Sequence, residues 1–199
     1  MKISGLILAG GRSSRMQANK AFVELNGQKI IEGVLEKLSC LDEIIIITNE
    51  PAEYEKYRSS VLHITQDIIP GKGPLSGIHA GLTISLYDFS LVVACDMPFI
   101  NLSLAAYMLS KAPGYDVVVP RINDNIEPLF SIYDRGCREA IETAIKAGRF
   151  RTRDVYRDLR IKYIEENEIR QFGDPEVMFY NVNNRQDLVQ AENIARRVG

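Results

Sequence analysis

An α/β fold, with a mostly parallel, doubly wound sheet and helices on both of its faces, is predicted by three features of this 199-residue sequence. Short runs dense in Ile, Val and Leu recur without alternation, as expected of strands covered on both faces. Segments of helical period separate those runs. The alternation of strand and helix continues over nearly the whole chain, which is the pattern of a parallel sheet. No repeat, low-complexity tract or Pro/Gly/Ser linker divides it, so a single domain over residues 1–199 is expected.

The strand candidates are residues 3–8, 44–48, 61–65, 91–95, 117–119 and 129–133, with 161–164 as a weaker one. Ile30, Ile31, Val34, Leu35 and Leu38 follow helical spacing. So do Leu75, Ile78, Leu82 and Leu86, among small residues (Gly77, Ala80, Gly81) that allow close packing. Leu102, Ala105, Ala106 and Leu109 repeat the pattern, with Asn101 as N-cap. Further helices fit residues 135–147 and 186–198. The polar stretch 120–125 reads as a loop, after which the strand near 127–133 can return antiparallel. Phe179-Tyr180-Asn181-Val182-Asn183-Asn184 reads as a short strand before the last helix.

Composition narrows the function classes. Lys plus Arg is 24 against 26 for Asp plus Glu, a net charge of −2, which argues against a nucleic-acid-coating protein. No stretch approaches the roughly 20 apolar residues of a membrane span, and the N-terminal apolar run is too short for a signal peptide. Cys40, Cys95 and Cys137 are odd in number and widely spaced, which suits reduced thiols rather than disulfides or zinc. A cytoplasmic protein is expected, binding neither nucleic acid nor membrane.

The first strand runs into Leu8-Ala9-Gly10-Gly11-Arg12-Ser13-Ser14-Arg15-Met16, with Lys20 close behind. In open α/β sheets ligands bind beyond the carboxyl ends of the strands. Paired glycines there let backbone N–H groups approach phosphate oxygens, and Arg12, Arg15 and Lys20 match a polyphosphate's charge. A bare Gly-Gly also fits a tight turn with solvated charges; the three cations favour phosphate. Neither the Gly-x-Gly-x-x-Gly dinucleotide fingerprint nor a P-loop occurs, because Gly71-Lys72-Gly73 lacks the hydroxyl after its lysine.

Other segments complete a rim. Leu91-Val92-Val93-Ala94-Cys95 ends in Asp96-Met97-Pro98, which suits one carboxylate on Mg²⁺ whose other positions go to phosphate and water. A helix cap is the plainer alternative for Asp96. Asp67, just after the third strand, is a second acid for the same rim. Gly71–Gly77 opens a helix whose free N–H groups can face an anion or base edges. Asn181 and Asn183, two apart, would share one strand face and could hold a polar ligand; an Asx-type turn or a cap of the last helix, which starts near Asn184 or Arg185, is the plainer alternative. Arg149, Arg151 and Arg153 offer a second phosphate site or merely an exposed basic stretch. His63 and His79 lack metal-ligand spacing, and no Gly-x-Ser-x-Gly is present, so nucleophilic hydrolysis is unsupported.

Taken together, Leu8-Ala9-Gly10-Gly11-x-Ser13-x-Arg15-Met16 with Lys20 closely resembles the signature loop of nucleotidyltransferases that activate sugars and cofactors. Gly73-Pro74-Leu75-Ser76-Gly77-Ile78, Cys95-Asp96-Met97-Pro98, Glu127-Pro128-Leu129-Phe130 and Asn181-Val182-Asn183 extend the resemblance to the molybdenum cofactor guanylyltransferase family. The sequence departs from the family loop at Gln17, where the family usually has Gly after Met. The resemblance implies the Rossmann-like nucleotide-diphospho-sugar transferase fold. It also implies transfer of GMP from MgGTP to the phosphate of molybdenum-bound molybdopterin, giving the guanine dinucleotide cofactor and pyrophosphate. By that resemblance Leu8, Ala9, Gly10 and Gly11 contact the nucleotide, assisted by Asn49 and Asp67, and Lys20 contacts its phosphates. Asp96 is the expected Mg²⁺ ligand, Arg15 an added phosphate contact, and Asn181 and Asn183 the pterin side. Cofactor-handover proteins are expected partners. A cytidylyltransferase of the same architecture, or a non-catalytic GTP-binding delivery protein, fits the same residues.

Overall fold

The computed structural model describes residues 2–10 and 20–198. Its elements in chain order are β1 (Ser4–Leu8), β2 (Glu24–Leu25), β3 (Gln28–Lys29), α1 (Ile30–Leu38), β4 (Glu43–Ile47), α2 (Pro51–Tyr54), β5 (Leu62–Thr65) and α3 (Pro74–Ile84). They continue with β6 (Phe89–Ala94), α4 (Leu102–Ser110), β7 (Val117–Ile122), β8 (Asn125–Ile126), β9 (Phe130–Asp134) and α5 (Cys137–Lys146). The chain closes with α6 (Thr152–Val155), β10 (Ile161–Glu165), α7 (Glu166–Ile169), α8 (Pro175–Met178) and α9 (Arg185–Val198).

The main sheet has the order β10-β7-β9-β6-β1-β4-β5, with β8 paired to β7. The β1–β4, β1–β6, β4–β5 and β7–β10 pairs are parallel, while β9 runs antiparallel to both β6 and β7. The mostly parallel, doubly wound sheet and the antiparallel return of β9 therefore match the sequence expectation, and β8 adds a short antiparallel pairing on β7. Strand order reverses at β1, whose Leu8 lies level with Ile47 of β4 and Ala94 of β6. This is the switch point at which a crevice opens above the carboxyl ends.

The unbroken apolar runs follow from two cores that share the sheet. Ile7, Ile44, Ile46, Leu91, Val93 and Phe130 pack on one face with α1, α4 and Ala191 of α9. Leu6, Ile45, Ile47, Val92 and Tyr133 pack on the other with α3 and α5. Successive strand residues point to opposite faces, so a strand buried on both must be apolar throughout. Asn101 caps α4 as expected, its Oδ1 accepting the Leu104 N–H at 3.0 Å. Among the described residues, no helix is long and apolar enough to cross a membrane.

Three expectations need correction. Strand β7 runs through Pro120 to Ile122 rather than stopping at Val119; it leaves β9 after Val118, so Pro120 interrupts no antiparallel ladder. Helix α3 stops at Ile84, and Leu86 beyond it is exposed. Residues 179–184 form no strand, because Val182 gives its N–H to the Asp96 carbonyl at 2.9 Å instead of to a ladder.

Glycine sets the distance between α3 and the sheet. A Cβ on Gly81 would stand 2.7 and 3.1 Å from the two Leu6 methyls and 3.3 Å from Ile47, and one on Gly77 2.9 Å from Leu8. The helix thus lies close over β1 and β4, and its N-terminus is held at the rim. Gly81→Val is expected to cost about 1–3 kcal/mol of stability through overpacking, read as a lower urea midpoint. An unchanged midpoint would mean that the close contact does not constrain the helix.

Candidate active site

Above the switch point lies a cleft of about 310 Å³. It is lined by Leu8, Gly10, Lys20, Ile47, Asn49, Asp67, Gly71, Gly73, Pro74, Gly77, Ala94, Cys95, Asp96 and Leu129. Six residues singled out from the sequence (Leu8, Gly10, Lys20, Asn49, Asp67 and Asp96) therefore meet around one space. Gly11 and Arg15, with Gln17, lie outside the described residues. The side chain of Ala9 is buried and its N–H is bonded to the Ile47 carbonyl at 2.8 Å, so it supports the loop rather than lining the cleft.

Each wall has a local cause. The end of β1 is tied to its neighbours by the Cys95 N–H, which donates to the Leu8 carbonyl at 3.1 Å. At Gly10 a Cβ would lie 3.3 Å from Asn49 Nδ2, so the backbone passes close to that amide. The same Nδ2 donates to Asp67 Oδ2 at 3.4 Å, joining the ends of β4 and β5. Gly71 and Gly73 adopt φ of +77° and +67°, a region that side chains other than glycine's disfavour. That turn brings Pro74, which has no N–H to leave unpaired, to the first position of α3 at the wall of the cleft.

The charged centre joins three distant segments. Lys20 Nζ lies 3.4 Å from Asp96 Oδ2 and 2.6 Å from Asn183 Oδ1. Asp96 follows β6 directly, and the Val182 N–H bonded to its carbonyl fastens the 181–183 segment beside it. Burial holds the Asp96 carboxyl above the usual carboxylate range, against the pull of Lys20 downwards. Asp67 is likewise raised by burial. Glu127, from the Glu127-Pro128-Leu129-Phe130 motif, is raised by burial and further by the Asp96 charge. A rim of carboxylates that resist ionisation, served by one described lysine, is chemically suited to a cation brought by a ligand. Burial and the Asp96 charge push the Cys95 thiol up to about 12, so this cleft cysteine is no nucleophile.

The two asparagines part company. Asn183 reaches the lysine, whereas Asn181 turns back, its Nδ2 donating to the Phe179 carbonyl at 2.9 Å. The expectation that both face one ligand relied on strand alternation, which an irregular segment does not have. The arginines after Gly148 do not line the cleft: Arg149 pairs with Asp158 at 2.7 Å and Arg153 reaches the Asp124 carbonyl at 3.3 Å. His79 is buried in α3 with its pKa lowered by burial, in keeping with a structural histidine.

Burial of the Asp96 charge has a sign that can be checked. A raised pKa means that the folded state takes up its proton at higher pH than the unfolded chain does, so the ionised group costs stability at neutral pH. Asp96→Asn should therefore melt a few degrees higher than the parent at pH 7. That difference should close as pH falls through the raised Asp96 pKa. A variant that melts lower at pH 7 would mean that the Lys20 pairing outweighs burial.

Comparison with known proteins identifies the family and the fold. The profile described as the MobA-like NTP transferase domain matches residues 5–163. A probable molybdenum cofactor guanylyltransferase from Pelotomaculum thermopropionicum is 42% identical over 195 residues, covering 98% of this chain and 94% of the relative. The solved molybdopterin-guanine dinucleotide biosynthesis protein A of Archaeoglobus fulgidus superposes with a TM-score of 0.85 at 29% identity, covering 100% of both chains. A 2-C-methyl-D-erythritol 4-phosphate cytidylyltransferase from Thermus thermophilus shares the fold, with a TM-score of 0.71 at 20% identity and coverage of 98% and 100%. The chain has the nucleotide-diphospho-sugar transferase fold, and it belongs to the MobA-like NTP transferase family as a nucleotidyltransferase.

Proposed function

We propose that this enzyme transfers GMP from GTP to the phosphate of molybdenum-bound molybdopterin, releasing pyrophosphate and the guanine dinucleotide form of the cofactor. The observation that carries the proposal is the Lys20–Asp96–Asn183 cluster at the mouth of a glycine-lined cleft. The choice of guanine and of the pterin acceptor rests on the names of the relatives.

The chemistry asks little of a general base, because the acceptor phosphate is already anionic. An acceptor oxygen forms a bond to the α-phosphorus as the bond from that phosphorus to the bridging oxygen breaks, and pyrophosphate departs with the electron pair. Charge repulsion and alignment are the obstacles. The Lys20 ammonium neutralises phosphate oxygens of the transferred and leaving groups. The Gly10 backbone and the glycine-bearing turn that opens α3 receive the anion and the base edge. Asn49 and Asp67 form the far wall of the nucleotide side. Asp96 fits a hard dication as its single carboxylate ligand: it is half-buried at the cleft, and its nearest described cation stands at 3.4 Å. Mg²⁺ bound there supplies neutralisation of phosphate charge.

Asp96→Ala should lower turnover by at least ~10²-fold, the scale of losing a principal electrostatic stabiliser. It is measured as pyrophosphate release with GTP and the pterin acceptor, and near-normal turnover would remove Asp96 from the reaction centre. A panel with CTP in place of GTP tests the base. Lys20→Ala should weaken GTP binding in calorimetry; unchanged affinity would contradict its phosphate role.

A further inference from the structure

The Lys20–Asp96 contact, at 3.4 Å, is long beside the roughly 2.7–2.9 Å of a charge-assisted hydrogen bond. The ammonium lies nearer Asn183 Oδ1, at 2.6 Å. The amide thus holds the lysine part-way off the carboxylate.

What fixes Asn183 is the first turn of α9. Asp187 Oδ2 accepts the backbone N–H of Asn183 at 2.7 Å and of Asn184 at 3.1 Å. Asn184 Oδ1 in turn accepts the N–H groups of Gln186 at 2.8 Å and Asp187 at 3.0 Å, which makes Asn184 the helix cap. The Asp187 carbonyl also receives the Tyr180 hydroxyl at 3.2 Å. On the other side, Val182 is buried and bonded to the Asp96 carbonyl. Asn183 is therefore clamped between the Asp96 loop and the last helix. A helix cap alone needs only the Asn184 side; the bond from Asp187 to Asn183 is additional.

We infer that Asp187 is a positioning residue: through Asn183 it keeps Lys20 from closing onto Asp96, which leaves the carboxylate open to a divalent cation and the ammonium open to phosphate. This rests on the reading of Asp96 as the metal ligand. When the clamp is lost, Lys20 settles into a full ion pair with Asp96, and an arriving cation must displace it.

The test uses the full chain with GTP and Mn²⁺, with free Mn²⁺ followed by electron paramagnetic resonance and melting recorded alongside. Asp187→Ala should weaken Mn²⁺ binding roughly tenfold, as loss of a residue supporting a metal ligand commonly does. Asp187→Asn, which keeps an acceptor oxygen, should stay within about twofold of the parent. Asn184→Ala removes the cap but not the bond from Asp187 to Asn183, so it should lower the melting temperature with Mn²⁺ affinity unchanged. Parent-like Mn²⁺ affinity in Asp187→Ala would overturn the inference, as would equal weakening in Asn184→Ala, which would reduce the effect to helix fraying. If Asp96→Ala also binds Mn²⁺ like the parent, the metal reading beneath it falls as well.

Discussion

The site depends on one ammonium group placed between a carboxylate and an amide. Lys20 opens the short turn over Lys20–Phe22, Asp96 lies just beyond β6 and Asn183 in the segment before α9. These positions are far apart in sequence, and only the doubly wound order of the sheet brings the first two to one rim. The third arrives because the Val182 N–H is spent on the Asp96 carbonyl. Shared between two acceptors, the lysine is neither buried in a closed ion pair nor free in solvent. That intermediate state suits the proposed role of meeting a polyphosphate and releasing a product.

The rest of the molecule holds this arrangement still. Apolar side chains on both faces of β1, β4 and β6 fix the strand ends from which the loops spring. Gly77 and Gly81 let α3 lie close against Leu8 and Leu6, which sets its N-terminus at the cleft. The cost of this design appears in the carboxylates. Asp67, Asp96 and Glu127 are all held above the usual carboxylate range by burial.

Much of this was legible in the chain. Runs such as Ile44–Ile47 declare a strand buried on both sides, since no polar residue interrupts them. Gly10 and Lys20 after β1, and an aspartate just beyond β6, mark the rim because strand ends are where open sheets bind ligands. The misreadings have physical causes. Pro120 reads as a loop residue, yet it sits in β7 beyond the pairing with β9. Asn181 and Asn183 look equivalent by spacing, but the backbone between them follows a single tertiary bond to Asp96 rather than a strand. One feature carried a local signal that went unread: Asn26-Gly27, both with positive φ, turns the β2–β3 hairpin. The start of the last helix near Asn184 was legible, and Asn184 caps it with Asp187 bonding back to its N–H. Glu127 had no such signal, because its place beside Asp96 is set by the register of β9 on β6.

The most direct measurement is a crystal structure of the enzyme soaked with GTP and Mn²⁺, with the metal located by anomalous scattering. The account predicts a single peak against the Asp96 carboxylate, with Lys20 on the triphosphate oxygens and the base on the side of Asn49, Asp67 and the first turn of α3. A metal peak remote from Asp96, or a triphosphate that does not approach Lys20, would contradict it.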